Sequence, residues 1–127
     1  MKNMILLLLS IFLLAGCAAE PKVNTYRQIG MDEAVAMMEK ESGYIILDVR
    51  RIDEFSEKHI PGAINIPNEE IGENPIPQLP DKDQLILVYC RSGNRSKQAS
   101  EKLVALGYTN VVEFGGIIDW PGEVVTE

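Results

Sequence analysis

Leu85-Ile86-Leu87-Val88-Tyr89 runs directly into Cys90-Arg91-Ser92-Gly93-Asn94-Arg95-Ser96. Five successive apolar residues without polar alternation are the pattern of a strand covered on both faces of a parallel sheet. The glycine and polar residues after Cys90 mark a tight turn. Ser96 to Leu106 then reads as a helix, with Ser96 as N-cap or first-turn residue, an apolar stripe of Ala99, Leu103 and Leu106, and Gly107 at its end. A strand end, a turn and a helix N-terminus aim backbone N–H groups at one point, where the helix dipole adds positive potential, so the junction suits an anion. The same field favours thiolate over thiol, because a free cysteine titrates near ~8.5 and falls beside cations or a helix N-terminus. Arg91, Arg95 and Lys97 supply the cations. An isolated cysteine at a strand end is otherwise a small buried hydrophobe; the glycine and two arginines turn the reading toward a reactive sulfur.

Working outward, Tyr44-Ile45-Ile46-Leu47-Asp48-Val49 repeats the doubly buried pattern, and Val111 to Phe114 is a weaker third strand. Tyr26 to Ile29 reads as a short first strand. Met31 to Glu41 reads as an amphipathic helix with Ala34, Val35 and Met38 on one face, acids in its first turn and Lys40 in its last, closed by Gly43. Asn68 to Asp83, with Pro75, Pro77 and Pro80, is expected to be a surface connection with one helical turn near Glu69 to Ile71. Strands alternating with helices imply an α/β domain over 26–127, with a mostly parallel central sheet flanked by helices and its loops at the strand ends.

The first residues do not belong to that fold. Lys2, an apolar run from Met4 to Leu14 and then Leu14-Ala15-Gly16-Cys17 have the layout of a secretory leader, and the run is shorter than the ~20 residues a spanning helix needs. Leu14 to Cys17 resembles the lipobox of bacterial lipoproteins. The resemblance implies a signal peptide over 1–16, cleavage before Cys17, acylation of the Cys17 thiol, a tether over 17–25 and a domain held at a membrane of the bacterial envelope, outside the cytoplasm. Two or more acyl chains anchor stably where one does not.

The chain of 127 residues has 12 Lys and Arg against 19 Asp and Glu, a formal charge of −7. Loss of Lys2 with the leader makes the mature chain −8, which opposes nucleic-acid binding and gives no electrostatic attraction to anionic lipid. The cationic loop at Cys90 stands out against that background. With Cys17 acylated, Cys90 has no partner for a disulfide, and an unpaired thiol in an exported protein is a second sign of reactivity. His59 is the sole histidine, and with Cys90 it forms no metal-ligand spacing, so no metal site is expected.

Three separated segments together resemble the single-domain rhodaneses, the thiosulfate sulfurtransferase family. They are Leu47-Asp48-Val49-Arg50 with Glu54-Phe55 and His59-Ile60-Pro61-Gly62-Ala63-Ile64-Asn65-Ile66-Pro67, the loop Cys90 to Ser96, and Gly115-Gly116 with Trp120. The resemblance covers roughly Tyr26 to Glu123. Lys58 departs from it, standing where the family usually has glycine.

The resemblance implies a rhodanese-like fold and double displacement that requires no metal or organic cofactor. Cys90 takes sulfur from a small anionic donor such as thiosulfate, or from a persulfide, and passes it to a thiol or cyanide. Arg95 would orient the donor, Arg91 would add field, and the loop amides through Ser92, Gly93, Asn94 and Ser96 would hold the charged sulfur. Asp48, Arg50 and His59 are expected to support the loop, with Arg50 and Glu54 as a pair and Trp120 as packing. A monomer is expected. The rival chemistry is that of phosphatases or arsenate reductases, whose related loops carry one residue more than the six from Cys90 to Arg95. A tethered binding domain without catalysis is the remaining alternative.

Overall fold

The computed structural model describes residues 25–127. The expected leader, the acylated Cys17 and the tether as far as Asn24 lie outside the described residues. The chain order is β1 (Arg27–Gln28), α1 (Met31–Lys40), β2 (Ile45–Asp48), α2 (Ile52–Glu57), β3 (Ile64–Asn65), a 3₁₀ turn (Asn68–Glu70), β4 (Ile86–Cys90), α3 (Asn94–Ala105), β5 (Val111–Gly116) and a 3₁₀ turn (Ile117–Asp119). All five strands are parallel, in the order β1-β5-β4-β2-β3.

The continuous apolar runs have the cause their pattern implies: β4 is buried at every residue because both faces of the sheet are covered. Leu87 and Tyr89 join Ala34, Ile46, Val112 and Phe114 on the α1 face. Ile86, Val88 and Cys90 join Leu47, Val111, Ala99 and Leu103 on the α3 face. The period-2 alternation of β4 therefore aims the Cys90 side chain toward the N-terminal end of α3.

Two local features shape the carboxyl end of the sheet. Val88 pairs with Glu113 and Cys90 with Gly116, so β5 carries an extra residue there and bulges. Gly116 lies against the loop so closely that a Cβ would collide with the Arg91 carbonyl. The other feature is α2, a helix absent from the sequence expectations. Its six residues are too few to show periodicity, and its start is fixed by the Glu54 carboxylate accepting the Arg51 N–H at 3.3 Å. Lys58, the departure from the family pattern, has φ −166° and ψ 147°, extended backbone that needs no glycine.

Candidate active site

Cys90 ends β4, three residues turn the chain, and α3 begins at Asn94 with Gly93 as its N-cap at φ 113°. That angle is one L side chains rarely adopt, which explains the glycine. Ser96 is therefore inside the first turn, its side chain buried between Cys90 and β5. The Cys90 sulfur accepts the Gly93 N–H at 3.0 Å and lies 3.4 Å from the Ser96 hydroxyl. Burial alone would push the thiol up, but hydrogen bonds from the Ser96 hydroxyl and from the Ser96, Gly93 and Ser92 backbone outweigh it, so the thiol lies below its ordinary value. No acid occupies the first turn of α3, which leaves the helix dipole unopposed at the sulfur.

Above the loop is a cleft of roughly 500 Å³ whose walls include Arg51, Lys58, Arg91 and Arg95, with Glu54 and Glu57 on α2 and with Ile117 and Ile118 beyond β5. Cys90 is only 1 % exposed and does not itself line this cleft, whereas Arg91 and Arg95 of its loop do. Arg95 donates from Nη1 and Nη2 to the two Glu54 oxygens at 2.6 and 3.1 Å. The Arg95 hydrogen bond, opposed in part by burial, holds the Glu54 carboxyl below the usual carboxylate range.

A second buried group fixes the frame. Asp48 at the end of β2 accepts the Arg50 backbone N–H at 2.9 Å and the Arg50 Nη2 at 2.7 Å, and the same Nη2 donates to the Lys58 carbonyl at 2.7 Å. Asn65 Nδ2 closes the arrangement by donating to the carbonyls of Asp48 and Arg50 at 3.0 and 2.9 Å. The ion pair and the Asn65 amide thus tie β2, both ends of α2 and β3 together. This sets where Glu54, and through it Arg95, can stand.

A model of the rhodanese-like domain family matches residues 30–122. The chain belongs to that family. The rhodanese domain is 42 % identical over 73 residues to thiosulfate sulfurtransferase PspE of Escherichia coli (strain K12), covering 58 % of this chain and 70 % of that one. Among solved structures it superposes on a rhodanese with anions from E. coli at a TM-score of 0.61 and 38 % identity, covering 66 % of this chain and 99 % of the other. A rhodanese-related protein from Thermoplasma volcanium gives a TM-score of 0.67 at 34 % identity, covering 80 % and 100 %.

Within the rhodanese domain, Cys90, Arg91, Ser92, Gly93, Asn94, Arg95 and Ser96 lie on one strand-loop-helix junction. Asp48 and Arg50 meet each other instead of the sulfur, and the expected Arg50–Glu54 pair does not form. Arg50 precedes α2 and bends back to Asp48, which leaves Glu54, one turn into the helix, facing Arg95. His59 is buried, stacked on Phe55 at 3.7 Å between ring centres, with Nδ1 2.8 Å from the Phe55 carbonyl. Its backbone pairs with Val125 through two 2.9 Å hydrogen bonds, so it pins the C-terminal segment. Trp120 is half-buried against the Phe114 cluster and donates Nε1–H to the Glu123 carbonyl at 3.0 Å. The residue the sequence reading missed is Glu113. It is 3 % exposed, and its Oε1 accepts both the Ser96 hydroxyl and the Gly115 N–H at 2.8 Å.

Proposed function

We propose that the domain transfers a sulfane sulfur from thiosulfate or a persulfide donor to a thiol or cyanide through a persulfide on Cys90. Family membership makes it a rhodanese-type sulfurtransferase. The Cys90 thiolate bonds to the outer sulfur of thiosulfate, the S–S bond of the donor breaks, and sulfite leaves with the bonding pair. The negative charge then sits on the outer sulfur of Cys90. An acceptor thiolate or cyanide bonds to that sulfur and Cys90 leaves as thiolate, which closes the cycle without cofactor or redox partner.

The observation that carries this reading is the Gly93 N–H donated to the Cys90 sulfur at 3.0 Å at the head of α3. A donor fixed in the fold stabilises sulfur charge without reorganising during the reaction. Arg95 is the anion clamp: Glu54 takes two of its five N–H groups and leaves three for a donor oxygen. The six-residue ring from Cys90 to Arg95 favours a sulfur atom over a tetrahedral phosphoryl group. Thiosulfate:cyanide transfer by the full chain, set against Cys90→Ser, tests the reading, since loss of turnover in a variant that still folds is required.

We place the protein outside the cytoplasm, held to a membrane of the bacterial envelope through acyl chains on Cys17. The support is the Leu14 to Cys17 pattern behind a charged and apolar leader. Among the described residues no helix is long and apolar enough to cross a membrane.

A further inference from the structure

Glu113 is a carboxylate inside an otherwise apolar strand, flanked by Val112 and Phe114, and its burial carries a cost that ordinary packing does not explain. Among the described residues no cation pairs with it; its hydrogen-bond donors are the Ser96 hydroxyl and the Gly115 N–H, both 2.8 Å from Oε1. The Gly115 contact closes the bulge of β5, a structural task that a glutamine would perform equally well. The Ser96 contact is different. That hydroxyl stands 2.8 Å from the Glu113 carboxylate and 3.4 Å from the Cys90 sulfur.

A serine hydroxyl has one proton to donate, and besides Glu113 the Gly93 carbonyl stands 3.0 Å from it as a competing acceptor. With Glu113 ionised, the charge-assisted bond to the carboxylate claims it. The Ser96 oxygen then has its lone pairs free, and the Cys90 S–H donates to one of them. Donor and acceptor roles run in one direction along the row, from Cys90 to Ser96 to Glu113. A thiolate at Cys90 only accepts, so it calls for the reverse orientation, with the Ser96 hydroxyl aimed at the sulfur 3.4 Å away. Both orientations are served when Glu113 takes up a proton as Cys90 gives one away.

We propose that Glu113 stores the Cys90 proton during sulfur transfer, with the Ser96 hydroxyl as the relay; the proposal rests on Cys90 being the nucleophile. The Cys90 S–H bond breaks as its proton bonds to Ser96 Oγ, and the Ser96 O–H bond breaks as its proton bonds to Glu113 Oε1. Sulfur becomes a thiolate that receives the new Ser96 O–H, while Glu113 becomes neutral and donates to Ser96. The cluster holds one negative charge before and after, which avoids placing thiolate and carboxylate side by side in a buried site. When the donor delivers its outer sulfur, the charge moves onto the persulfide and the proton waits on Glu113. It returns to Cys90 after the acceptor has taken the sulfur. Glu113 is in this sense a positioning residue that acts through Ser96.

The charged and titratable groups around the row come from several elements. α3 brings Arg95, which feels the Cys90 charge, and Glu101. The segment before β1 brings Tyr26, which feels Glu101 and Glu113. The loop brings Arg91, and α2 brings Glu54 as the counter-ion of Arg95. Opposite Glu113 the neighbouring strands offer only Gln28 and Val88.

The test is the rate of Cys90 alkylation by iodoacetamide across pH, read by mass on the Cys90 peptide of the full chain. A shared proton gives wild type two inflections separated by a shelf where the rate does not depend on pH. Glu113→Gln keeps the Gly115 bond and should lose the shelf, its rate rising ~10-fold per pH unit to a single inflection. Ser96→Ala leaves Glu113 in place and should lose the shelf as well. A single inflection in wild type overturns the relay whether or not either variant folds, as does a folded Glu113→Gln whose profile superimposes on wild type. Alkylation needs no sulfur donor, so a shelf without sulfur transfer would remove the functional proposal and leave the relay standing.

Discussion

Arg95 and Glu54, 41 residues apart in the chain, close a two-point ion pair at 2.6 and 3.1 Å that joins α3 to α2 beside the cleft. The pair has two consequences. It holds the guanidinium in place, and under the proposed transfer the donor anion shares Arg95 with a resident carboxylate.

For Arg95→Ala the expected result is a fall in kcat/KM with thiosulfate of roughly 10- to 100-fold, since a hydrogen bond to a charged group contributes about 1.5–3 kcal/mol. The loss should be smaller with an uncharged persulfide donor. Steady-state kinetics with both donors checks this, and equal losses would remove Arg95 from the role of anion clamp.

Glu54 also predicts a pH dependence of stability. Its carboxyl is lowered in the folded protein by the Arg95 hydrogen bond, so the stabilisation is present in full above the unfolded value. It is lost as pH falls through the lower folded value. Thermal unfolding should therefore show Glu54→Gln less stable than wild type at neutral pH, with the gap closing below the ordinary carboxylate value of about 4.3. A gap independent of pH would mean that Glu54 acts through packing alone.

Gly116→Ala tests the fit of the loop against β5. The added methyl meets the Arg91 carbonyl, which is backbone and cannot turn aside, so the loop must move. Overpacking of this kind costs about 1–3 kcal/mol. The variant should unfold at lower temperature and transfer sulfur more slowly with Cys90 intact. Unchanged activity would show that the loop tolerates displacement.

Much of this architecture was legible because it rests on patterns with a single physical cause. The unbroken apolar runs of β2 and β4 need cover on both faces, and Gly93 with Asn94 to Ser96 needs a turn into a helix. What stayed hidden depends on distant contacts. The six-residue α2 offers too few positions for a period, and the two-residue β3 is defined only by its pairing with Leu47 and Asp48. Arg50 and Glu54 have helix-like spacing, yet Arg50 lies before the helix and turns back to Asp48. Glu113 looks like an ordinary solvent-facing strand residue until the bulge of β5 and the first turn of α3 enclose it. Its one sequence signal was a carboxylate with apolar neighbours on both sides.

The Cys17 proposal has its own check. A fatty-acid probe supplied to growing bacteria should label the wild-type protein and not Cys17→Ser, and the variant should stay unprocessed or leave the membrane fraction. Label persisting on the variant would place the acyl group elsewhere or remove the anchor from the account.

The most direct measurement is the mass of the Cys90 peptide after the purified protein is treated with thiosulfate. The account predicts a gain of one sulfur atom on Cys90, its removal by cyanide with formation of thiocyanate, and no gain in Cys90→Ser. An unmodified Cys90 that alkylates freely, in a protein that hydrolyses an aryl phosphate efficiently, would contradict it.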